Sequence, residues 1–487
     1  MRNTSSRAAL IGVLLATVAL ICSCTSSTAG HPEAAAPPGD RPNIVFVLTD
    51  DLSRNLVAHM PHVQAMQQNG MTMSNYFVVD SLCCPSRSAI FTGQYAHDNG
   101  VFTNTPPDGG YDAFNRNGDQ QKSFAVALQK AGYRTAMMGK YLNGYQPQNA
   151  VPPGWNEWDV AGNGYPEFNY DLNQNGTTQH YGHDAASYLT DVVAQKAGSF
   201  VDSSAAAGKP FMLEVATFAP HAPYTPAPRD AHSARGLKYP KTPAWNTLPS
   251  NPPSWLKDRA PLNPKEKKKI IRVYRKRVEA VQAVDDMIGH LQDELKAKGL
   301  DKNTYFVFSS DNGYHMGEYR LAPGKQTAFD TDIHVPLVVT GPGVPAGSTS
   351  DQMTSNIDLC PTFESLGGAT VPADADGQSL AGLWHGEHPS NWPRAVLVEH
   401  HGPDRAKNDP DRQSFRAANP PSYQAVRTAE ALYVQYKSGE QEYYDLRHDP
   451  FELHNLAAGG VPPDLPKKLA AMTNCHSSAA CRAAADS

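Results

Sequence analysis

The sequence lacks a long apolar run, an excess of positive charge and a large number of cysteines. Its N-terminal apolar stretch, residues 8–21, is too short to span a bilayer as a helix. The formal net charge of −6 argues against nucleic acid as a partner. With 487 residues, 40% of them hydrophobic, the chain can bury one large core beside a smaller domain, which excludes a disordered or fibrous protein.

The first forty residues predict an exported protein, either extracellular or in the cell envelope. Two arginines precede the apolar stretch, the order expected of a signal peptide over residues 1–24. The tetrapeptide Ile-Cys-Ser-Cys that ends at Cys24 is similar to a bacterial lipobox, which would attach a lipid anchor to Cys24; ordinary signal cleavage is the alternative. Residues 25–40 have the composition of a flexible linker.

The seven cysteines fall into groups with different expected roles. Two lie in the export segment, and Cys475 and Cys481 are close enough in the tail to favour a small disulfide loop. Cys360 has the surroundings of a small buried apolar residue. Cys83 and Cys84 are left over, and as neighbours they are poorly placed to bridge one another.

Apolar runs of strand length alternate with helical stretches over most of the chain. This alternation predicts an α/β fold, a mostly parallel sheet sandwiched by helices, in a catalytic domain over residues 41–390. The longest helix is predicted over residues 264–298, where one apolar stripe ends before Gly299. The predicted strands are residues 44–48, 135–138, 211–216, 305–308 and 337–339.

The pattern changes at about residue 391 to short strands with turn residues between them. A hairpin is predicted from residues 432–436 through Ser438-Gly439 to 442–445. Residues 391–487 are therefore predicted to form a smaller antiparallel α+β subdomain and a tail. Residues 144–182 have no clear period and predict a long ordered excursion beside a pocket.

Polar residues follow four of the predicted strands. They are Asp50-Asp51, Gly139-Lys140, Pro220-His221 and Asp311-Asn312. Because ligands of open α/β sheets bind outside the carboxyl ends of the strands, these residues should converge on one crevice. The acidic and amide side chains offer only oxygen, which suits Ca²⁺, or less well Mg²⁺, rather than zinc. For any single aspartate the alternative is a helix cap.

The segment Cys83-Cys84-Pro85-Ser86-Arg87, followed by Ala-Ile-Phe-Thr-Gly, resembles the signature of the sulfatase family. In that family the first cysteine of C-x-P-S-R is oxidised to formylglycine. Pro85 suits the first turn of a helix, so the segment is expected to direct free backbone N–H groups at the modified side chain. The alternative is a buried cysteine pair at a helix start.

Further segments between residues 41 and 460 carry the same resemblance, with its alkaline-phosphatase-like fold. The sequences of these segments are most similar to those of the N-acetylglucosamine-6-sulfatase and bacterial arylsulfatase branch. The segments are Gly132-Tyr-Arg-Thr-Ala-Met-Met-Gly-Lys-Tyr-Leu142, Asp311-Asn-Gly-Tyr-His-Met-Gly-Glu318, Gly324-Lys325 and Tyr444-Asp-Leu446.

The resemblance implies a hydrolase of sulfate monoesters. It implies that Arg87 steadies the formylglycine hydrate and that the sulfate oxygens are bound by Lys140, His221 and Lys325. A hydrated aldehyde offers two hydroxyls on one carbon, and a metal lowers the pKa of the one that attacks sulfur. The implied Ca²⁺ ligands are Asp50, Asp51, the modified Cys83, Asp311 and Asn312.

One position departs from the family pattern. Many relatives carry a histidine two residues beyond the lysine of the second signature, as the presumed base that expels sulfate, whereas this chain has Leu142, followed by Asn143. His315 is the candidate for the proton transfer instead, since a histidine can donate or accept near neutral pH. A hydrogen-bonded structural role is the alternative for His315.

Two other functions remain open at this stage. The first is a phosphonate or phosphate monoester hydrolase of the same superfamily, although a phosphatase would be expected to use serine or threonine where Cys83 stands, and usually more histidine metal ligands. The second is a non-catalytic envelope binding protein.

The expected partners are a small-molecule or carbohydrate sulfate ester and, during maturation, a formylglycine-generating enzyme. A sugar pocket or simple packing would explain the aromatic and amide residues Trp155, Trp158, Tyr165, Asn169 and Tyr170.

Overall fold

A ten-stranded sheet lies at the centre of the computed structural model, which describes residues 41–487 except 408 and 410. The predicted signal peptide, the lipobox at Cys24 and the linker over residues 25–40 lie outside the described residues. Within the described part of the chain, every helix is too short or too polar to cross a bilayer.

The strands are bounded as follows. They are β1 Asn43–Thr49, β2 Met71–Met73, β3 Tyr76–Phe77, β4 Arg134–Lys140, β5 Glu157–Ala161, β6 Tyr170–Gln174, β7 Thr177–Tyr181, β8 Phe211–Ala216, β9 Thr304–Ser310, β10 Leu337–Thr340, β11 Ser348–Ser350, β12 Thr354–Ser355, β13 Ala395–His400, β14 Tyr423–Thr428, β15 Ala431–Tyr436 and β16 Gln441–Asp445.

The α-helices are bounded as follows. They are α1 Pro61–Asn69, α2 Cys83–Thr92, α3 Ala96–Asn99, α4 Gly110–Arg116, α5 Phe124–Lys130, α6 Leu189–Ala207, α7 Pro264–Ala297, α8 Asp330–Ile333, α9 Leu359–Leu366, α10 Ala381–Trp384, α11 Asp464–Met472 and α12 Ser478–Asp486.

The large sheet has the order β11-β2-β10-β9-β1-β8-β4-β5-β6-β7. Its centre, β9-β1-β8-β4-β5, is parallel throughout, while β10, β6 and β7 pair antiparallel towards the two edges. The predicted mostly parallel sheet and its five strands are therefore confirmed. Three strands, β5 to β7, lie within residues 144–182, where the sequence predicted only an irregular excursion.

Both faces of the sheet are covered, as the apolar character of the central strands requires. Along β1, Ile44, Phe46 and Leu48 face one hydrophobic core, whereas Val45 and Val47 face the other. Alternation of side chains along a strand places successive residues on opposite faces. The central strands are thus held from both sides, which fixes the position of the residues that follow them.

Helix α7 covers one face with the stripe predicted from its sequence. Asn263 caps its N-terminus in a capping box with Glu266, and Pro264 occupies the first turn. Past its end, Gly299 adopts φ +69°, a conformation that glycine takes at little cost. The buried stripe consists of Val273, Val278, Val281, Val284, Ile288, Leu291 and Leu295.

The C-terminal region contains the predicted antiparallel sheet, in the order β13-β14-β15-β16. The predicted hairpin joins β15 and β16, and Gly439 takes φ +91° at its turn. This sheet lies in the same compact unit as the large sheet. The domain boundary at about residue 391 stays a prediction. Cys475 and Cys481 form the disulfide that their spacing favours.

Candidate active site

The carboxyl ends of β1 and β9 bring two acidic pairs together. These strands are parallel neighbours in which Thr49 is paired with Ser310, so Asp50 and Asp311 follow at the same level of the sheet. Both aspartates are fully buried. The backbone N–H of Asp51 donates to Asp311 Oδ1 at 3.1 Å, which locks the two strand ends to each other.

Asp51 turns the chain away from β1 with φ +64°, a conformation unfavourable for a residue with a Cβ. Arg277 of α7 donates to the Asp51 carbonyl oxygen and so supports this turn. The turn points the carboxylate of Asp51 towards Asn312, whose Nδ2 donates to Asp51 Oδ1 at 2.8 Å. A strained residue held by its surroundings is common at functional sites.

Cys83 begins helix α2 and faces the acidic pairs. Its thiol donates to Asp50 Oδ1 over 3.1 Å, and it is fully buried. Burial, then the nearby carboxylates of Asp311, Asp411 and Asp50, raises the pKa of the thiol well above its ordinary value. Cysteine itself is therefore poorly ionised here, and an unmodified thiol would be a weak nucleophile.

The start of α2 differs in one detail from the expectation. Pro85 lies in the first turn, as predicted, but the backbone N–H of Cys84 donates to Asn104 Oδ1 at 3.0 Å. Since proline has no N–H, the first turn offers fewer free donors than predicted. An anion beside residue 83 would have to be bound mainly by side chains.

Arg87 lies one turn further along α2 and is paired inside the site. Its Nε donates to Asp311 Oδ2 at 2.8 Å, and one Nη donates to the carbonyl oxygen of Lys140 at 2.9 Å. The other Nη is buried without a hydrogen-bond partner among the described residues. Burial favours a higher pKa for Asp311, but Arg87, Lys140 and Lys325 hold that pKa below its usual range.

Two buried lysines enter the site from different elements. Lys140 ends β4, and its Nζ donates to Asp50 Oδ2 at 2.5 Å. Lys325 Nζ lies 2.7 Å from both Asp51 Oδ1 and Cys83 Sγ. Although burial lowers a lysine pKa, the surrounding carboxylates raise the pKa of both well above the ordinary value. Both side chains are therefore ammonium ions at neutral pH.

His221 follows β8 and its ring is fixed on both sides. Nδ1 donates to the carbonyl oxygen of Ala222 at 2.7 Å, and Nε2 contacts the carboxylate of Asp411 and lies 3.6 Å from Asp51 Oδ2. Burial would lower the pKa of His221, but Asp411, Asp50 and Asp51 raise it to about 9. The imidazole is thus cationic at neutral pH, with Nε2–H directed into the site.

Asp411 is the site residue that the sequence did not identify. It is fully buried, and it accepts hydrogen bonds from Asn143 Nδ2 at 2.7 Å, Asn104 Nδ2 at 3.1 Å and Lys325 Nζ at 3.3 Å, in addition to His221. It lies far along the chain from the strand-end residues and follows no predicted strand. Nothing in its local sequence distinguishes it from other loop aspartates.

The charge of Asp411 is held in the ionised state by its neighbours. Burial alone would raise its pKa, but Lys325, His221 and Lys140 bring the pKa well below the ordinary value. A carboxylate presents two oxygens on one atom, as one edge of a sulfate group does. Asp411 therefore stands in for an oxyanion among the side chains that the sequence assigned to sulfate.

The predicted proton carrier, His315, is paired through its backbone with Gly324, the residue before Lys325, and has an available ring nitrogen. Its Nδ1 donates to Asp332, 2.9 Å from Oδ2, while Nε2 is buried and has no hydrogen-bond partner among the described residues. Leu142 is packed in the hydrophobic core, but Asn143 reaches the site. Many relatives carry a histidine at the position of Leu142, but in this chain the next residue, Asn143, contributes the polar group to the site.

The aromatic residues proposed for a sugar pocket separate into two groups. Tyr165 lies at the site, with Lys140 Nζ 4.9 Å from its ring centre and its hydroxyl accepting from Asn143 at 3.2 Å. By contrast, Trp155, Trp158 and Tyr170 are buried in the hydrophobic cores. Packing is the correct explanation for these three.

The donor set at the strand ends fits a hard divalent cation. Ligand atoms of Asp50, Asp51, Cys83 and Asp311 all lie within 4.8 Å of one another. Asn312 Oδ1 is buried without a hydrogen-bond partner among the described residues, so it is an additional oxygen available to an ion. Carboxylate and amide oxygens at this spacing match the preference of calcium for several oxygen ligands.

The fold and the site together define an α/β protein in which a buried acidic cluster that could hold a metal lies beside cationic side chains that contact the Asp411 carboxylate. The chain belongs to the sulfatase family, whose profile matches residues 42–369. Residues 317–474 also match the family described as N-sulphoglucosamine sulphohydrolase, C-terminal.

Individual relatives agree with this assignment. The chain is 32% identical over 461 residues to N-acetylglucosamine-6-sulfatase of Homo sapiens, covering 88% of this chain and 83% of that protein. It is 33% identical over 398 residues to an extracellular sulfatase SULF-1 homolog of Drosophila melanogaster. That match covers 78% of this chain but only 36% of the longer relative.

A solved structure shares the fold. It was determined in complex with its substrate, D-glucosamine-2-N,6-O-disulfate, and has a TM-score of 0.70 and 24% identity to this chain. The match covers 85% of this chain and 93% of that one. The predicted sulfatase resemblance and alkaline-phosphatase-like fold class are confirmed.

Proposed function

We propose that this protein hydrolyses sulfate monoesters, using a formylglycine made from Cys83 and a calcium ion held by Asp50, Asp51, residue 83, Asp311 and Asn312. The observation that carries the proposal is the environment of the Asp411 carboxylate. Two of the three cations predicted to bind sulfate, Lys325 and His221, contact that carboxylate directly. Side chains that hold one oxyanion in a buried site are equipped to hold another.

The chemistry of the proposed groups is complementary. A cation held by the acidic pairs would lower the pKa of a hydroxyl on residue 83. A hydrated aldehyde at that residue would present two hydroxyls on one carbon, which serine or cysteine lacks. The Nη of Arg87 that has no partner among the described residues is a buried donor available to such a group.

The remaining residues would bind and orient the sulfate. Lys140, Lys325 and His221 offset negative charge on the transferring group, and this kind of stabilisation typically contributes about 10²–10³ in rate for each donor. These donors are already held in place by carboxylates, so substrate binding requires movement of the Asp411 carboxylate rather than of the donors. Asp411 has to leave these donors first, because its carboxylate and a sulfate oxygen cannot accept the same N–H groups.

Two histidines are suited to the proton transfers. The Ala222 carbonyl oxygen fixes the ring of His221 so that Nε2–H would face the ester oxygen and protonate the leaving alcohol. Asp332 accepts from Nδ1 of His315, which leaves Nε2 as the free lone pair of a base. His315 is thus our candidate for the step assigned to the missing histidine at position 142.

The substrate that we propose is a sulfated amino sugar. Support comes from the human relative, an N-acetylglucosamine-6-sulfatase, and from the fold neighbour determined with a glucosamine disulfate. Export, a formylglycine-generating enzyme as maturation partner and a lipid anchor at Cys24 complete the proposal. The similarity to an extracellular sulfatase supports export.

Turnover assays test the proposal. Protein produced with a formylglycine-generating enzyme should hydrolyse 4-nitrocatechol sulfate and N-acetylglucosamine-6-sulfate. Cys83→Ala should abolish turnover without loss of fold, whereas the control Cys84→Ser, at the adjacent buried cysteine, should retain it. Turnover of a phosphonate ester and of neither sulfate ester would assign the phosphonate alternative. Turnover of none of them by fully modified, calcium-loaded protein would favour a binding protein.

A further inference from the structure

A second group of ligand-type side chains lies on the surface that joins helix α3 to the C-terminal tail. We call His97, Asp98 and His476 the tail cluster. Their ligand atoms all lie within 4.8 Å of one another, although His476 is 378 positions from Asp98 in the sequence. They are 13%, 15% and 69% exposed. The proposed sulfatase reaction uses none of them.

His97 and the backbone on both sides of His476 are held in place by their own neighbours. His97 packs against Tyr95, and its Nδ1 lies 2.8 Å from Oε2 of Glu399, a buried residue of β13. His476 follows Cys475 of the disulfide, and the N–H of the next residue, Ser477, donates to Asp376 Oδ1 at 2.8 Å. Little order would therefore have to be created when a ligand binds.

The Glu399 contact has the geometry of a partner that orients a metal-binding histidine. A metal-binding histidine usually donates its second ring N–H to a carboxylate, which directs the other nitrogen towards the ion. Here Glu399 accepts from Nδ1, while Nε2–H of His97 donates to the Cys475 carbonyl oxygen at 2.9 Å and lies 4.0 Å from Asp98 Oδ2. A metal at this position would replace the proton on Nε2 and could take the Cys475 carbonyl oxygen as a neighbour. His476 Nδ1 meets the other oxygen of Asp98.

We propose that the tail cluster is a zinc site that fastens the C-terminal tail to α3. Two imidazole nitrogens and one carboxylate oxygen form a three-ligand set of the kind zinc accepts. The exposed side of His476 leaves room for a water as fourth ligand. The set contrasts with the strand-end site, which offers oxygen and residue 83 and fits calcium. Bound zinc would cross-link α3 to the C-terminal tail, two segments that are far apart in the sequence.

Zinc titration of the calcium-saturated protein tests this site. All proteins would carry Cys83→Ala, so that the thiol at the strand-end site cannot bind zinc. We expect one equivalent of zinc by elemental analysis after dialysis, a cobalt derivative with the intense visible absorption of a tetrahedral site, and a melting temperature that rises with zinc. His476→Ala should lose all three, and Glu399→Gln should weaken zinc binding by about 10–100-fold.

The control is His448→Ala, which removes another exposed histidine that contacts an aspartate, Asp445, at 3.0 Å. It should bind zinc like the parent. Absence of zinc binding by the parent, or equal binding by the His476 and His448 variants, would show that the tail cluster is only a hydrogen-bonded contact. Because no readout depends on turnover, failure of the sulfatase proposal would not affect this test.

Discussion

The carboxyl edge of the large sheet and the C-terminal sheet both bury charged groups, but they compensate them differently. At the edge, Asp50 and Asp51 are paired with lysine ammonium groups. In the C-terminal sheet, the buried Glu442 accepts from the neutral hydroxyls of Tyr436 and Tyr444. Buried ion pairs contribute little net stability. The edge therefore concentrates charge where we propose that an anion binds, whereas the acid of the C-terminal sheet is stabilised by hydrogen bonds from neutral hydroxyls.

The largest expected effect comes from removing the proposed calcium ion from the edge. Without a cation, the carboxylates at residues 50, 51 and 311 repel one another and residue 83 loses its activation, so turnover should fall to background. Dialysis against a chelator followed by assay measures this, and added calcium should restore activity better than magnesium. Full turnover by protein shown to be metal-free would contradict the proposed metal.

A smaller but still large effect is expected from Lys325→Ala. The substitution removes a donor that contacts Cys83, Asp51 and Asp411, and kcat should fall about 10²–10³-fold. Rates should be normalised to the formylglycine content of each preparation. Lys196→Ala is the matched control, because Lys196 pairs with the buried Asp159 at 2.9 Å away from the site. Equal kcat for the two variants would contradict the role of Lys325.

Asp411→Asn should strengthen substrate binding, in contrast to the two changes above, which should reduce turnover. The amide keeps the shape but not the charge, so a sulfate ester meets a weaker internal competitor. We expect KM to fall about threefold to tenfold, because a larger fraction of the enzyme is ready to bind. Inorganic sulfate should also raise the melting temperature more than in the parent. A loss of kcat at unchanged sulfate affinity would show instead that Asp411 takes part in the reaction.

Glu442→Gln should leave turnover unchanged and alter only the pH dependence of stability. Burial raises the pKa of Glu442 from 4.5 to about 7, although the two tyrosine hydroxyls oppose the shift. Between these values the folded chain binds more protons than the unfolded one, so the parent loses stability as the pH rises. The variant lacks this loss, which amounts to at most about 3 kcal/mol.

Denaturant unfolding of both proteins at several pH values measures the difference in unfolding free energy. The difference should move in favour of the Glu442→Gln variant between about pH 5 and pH 8. A difference that is constant with pH would mean that Glu442 does not titrate in this window. A large change in kcat would contradict the separation between the two regions.

The sequence predicted those strands and helices that are determined by the residues they contain. The strands around Ile44 and Tyr305 are apolar runs followed by acids, and parallel pairing carries those acids to one edge. Helix α7 was predicted from its stripe of apolar residues and from Gly299, which follows its end. Strands β5 to β7 were not, because β6 and β7 consist largely of Asn, Gln, Thr and Tyr, and β7 is mostly exposed. Their pairing depends on the neighbouring edge of the sheet.

The same limit applies to the site. Asp50, Cys83 and Lys325 were identified by strand ends and motifs, and the structure brings them into contact. Asp411 was missed because its position depends on how a distant loop folds over the strand ends. Asn143 was noted only as the neighbour of Leu142, yet the backbone turn after β4 directs its side chain to Asp411. Contacts of this kind arise from tertiary structure alone.

Mass spectrometry of the peptide containing Cys83 tests the proposed chemistry most directly. In active protein made with the maturation enzyme, residue 83 should have lost its sulfur and carry an aldehyde that reacts with a hydrazide, while Cys84 stays a thiol. A fully active preparation in which Cys83 is an unmodified cysteine would contradict the mechanism, whatever the other variants show.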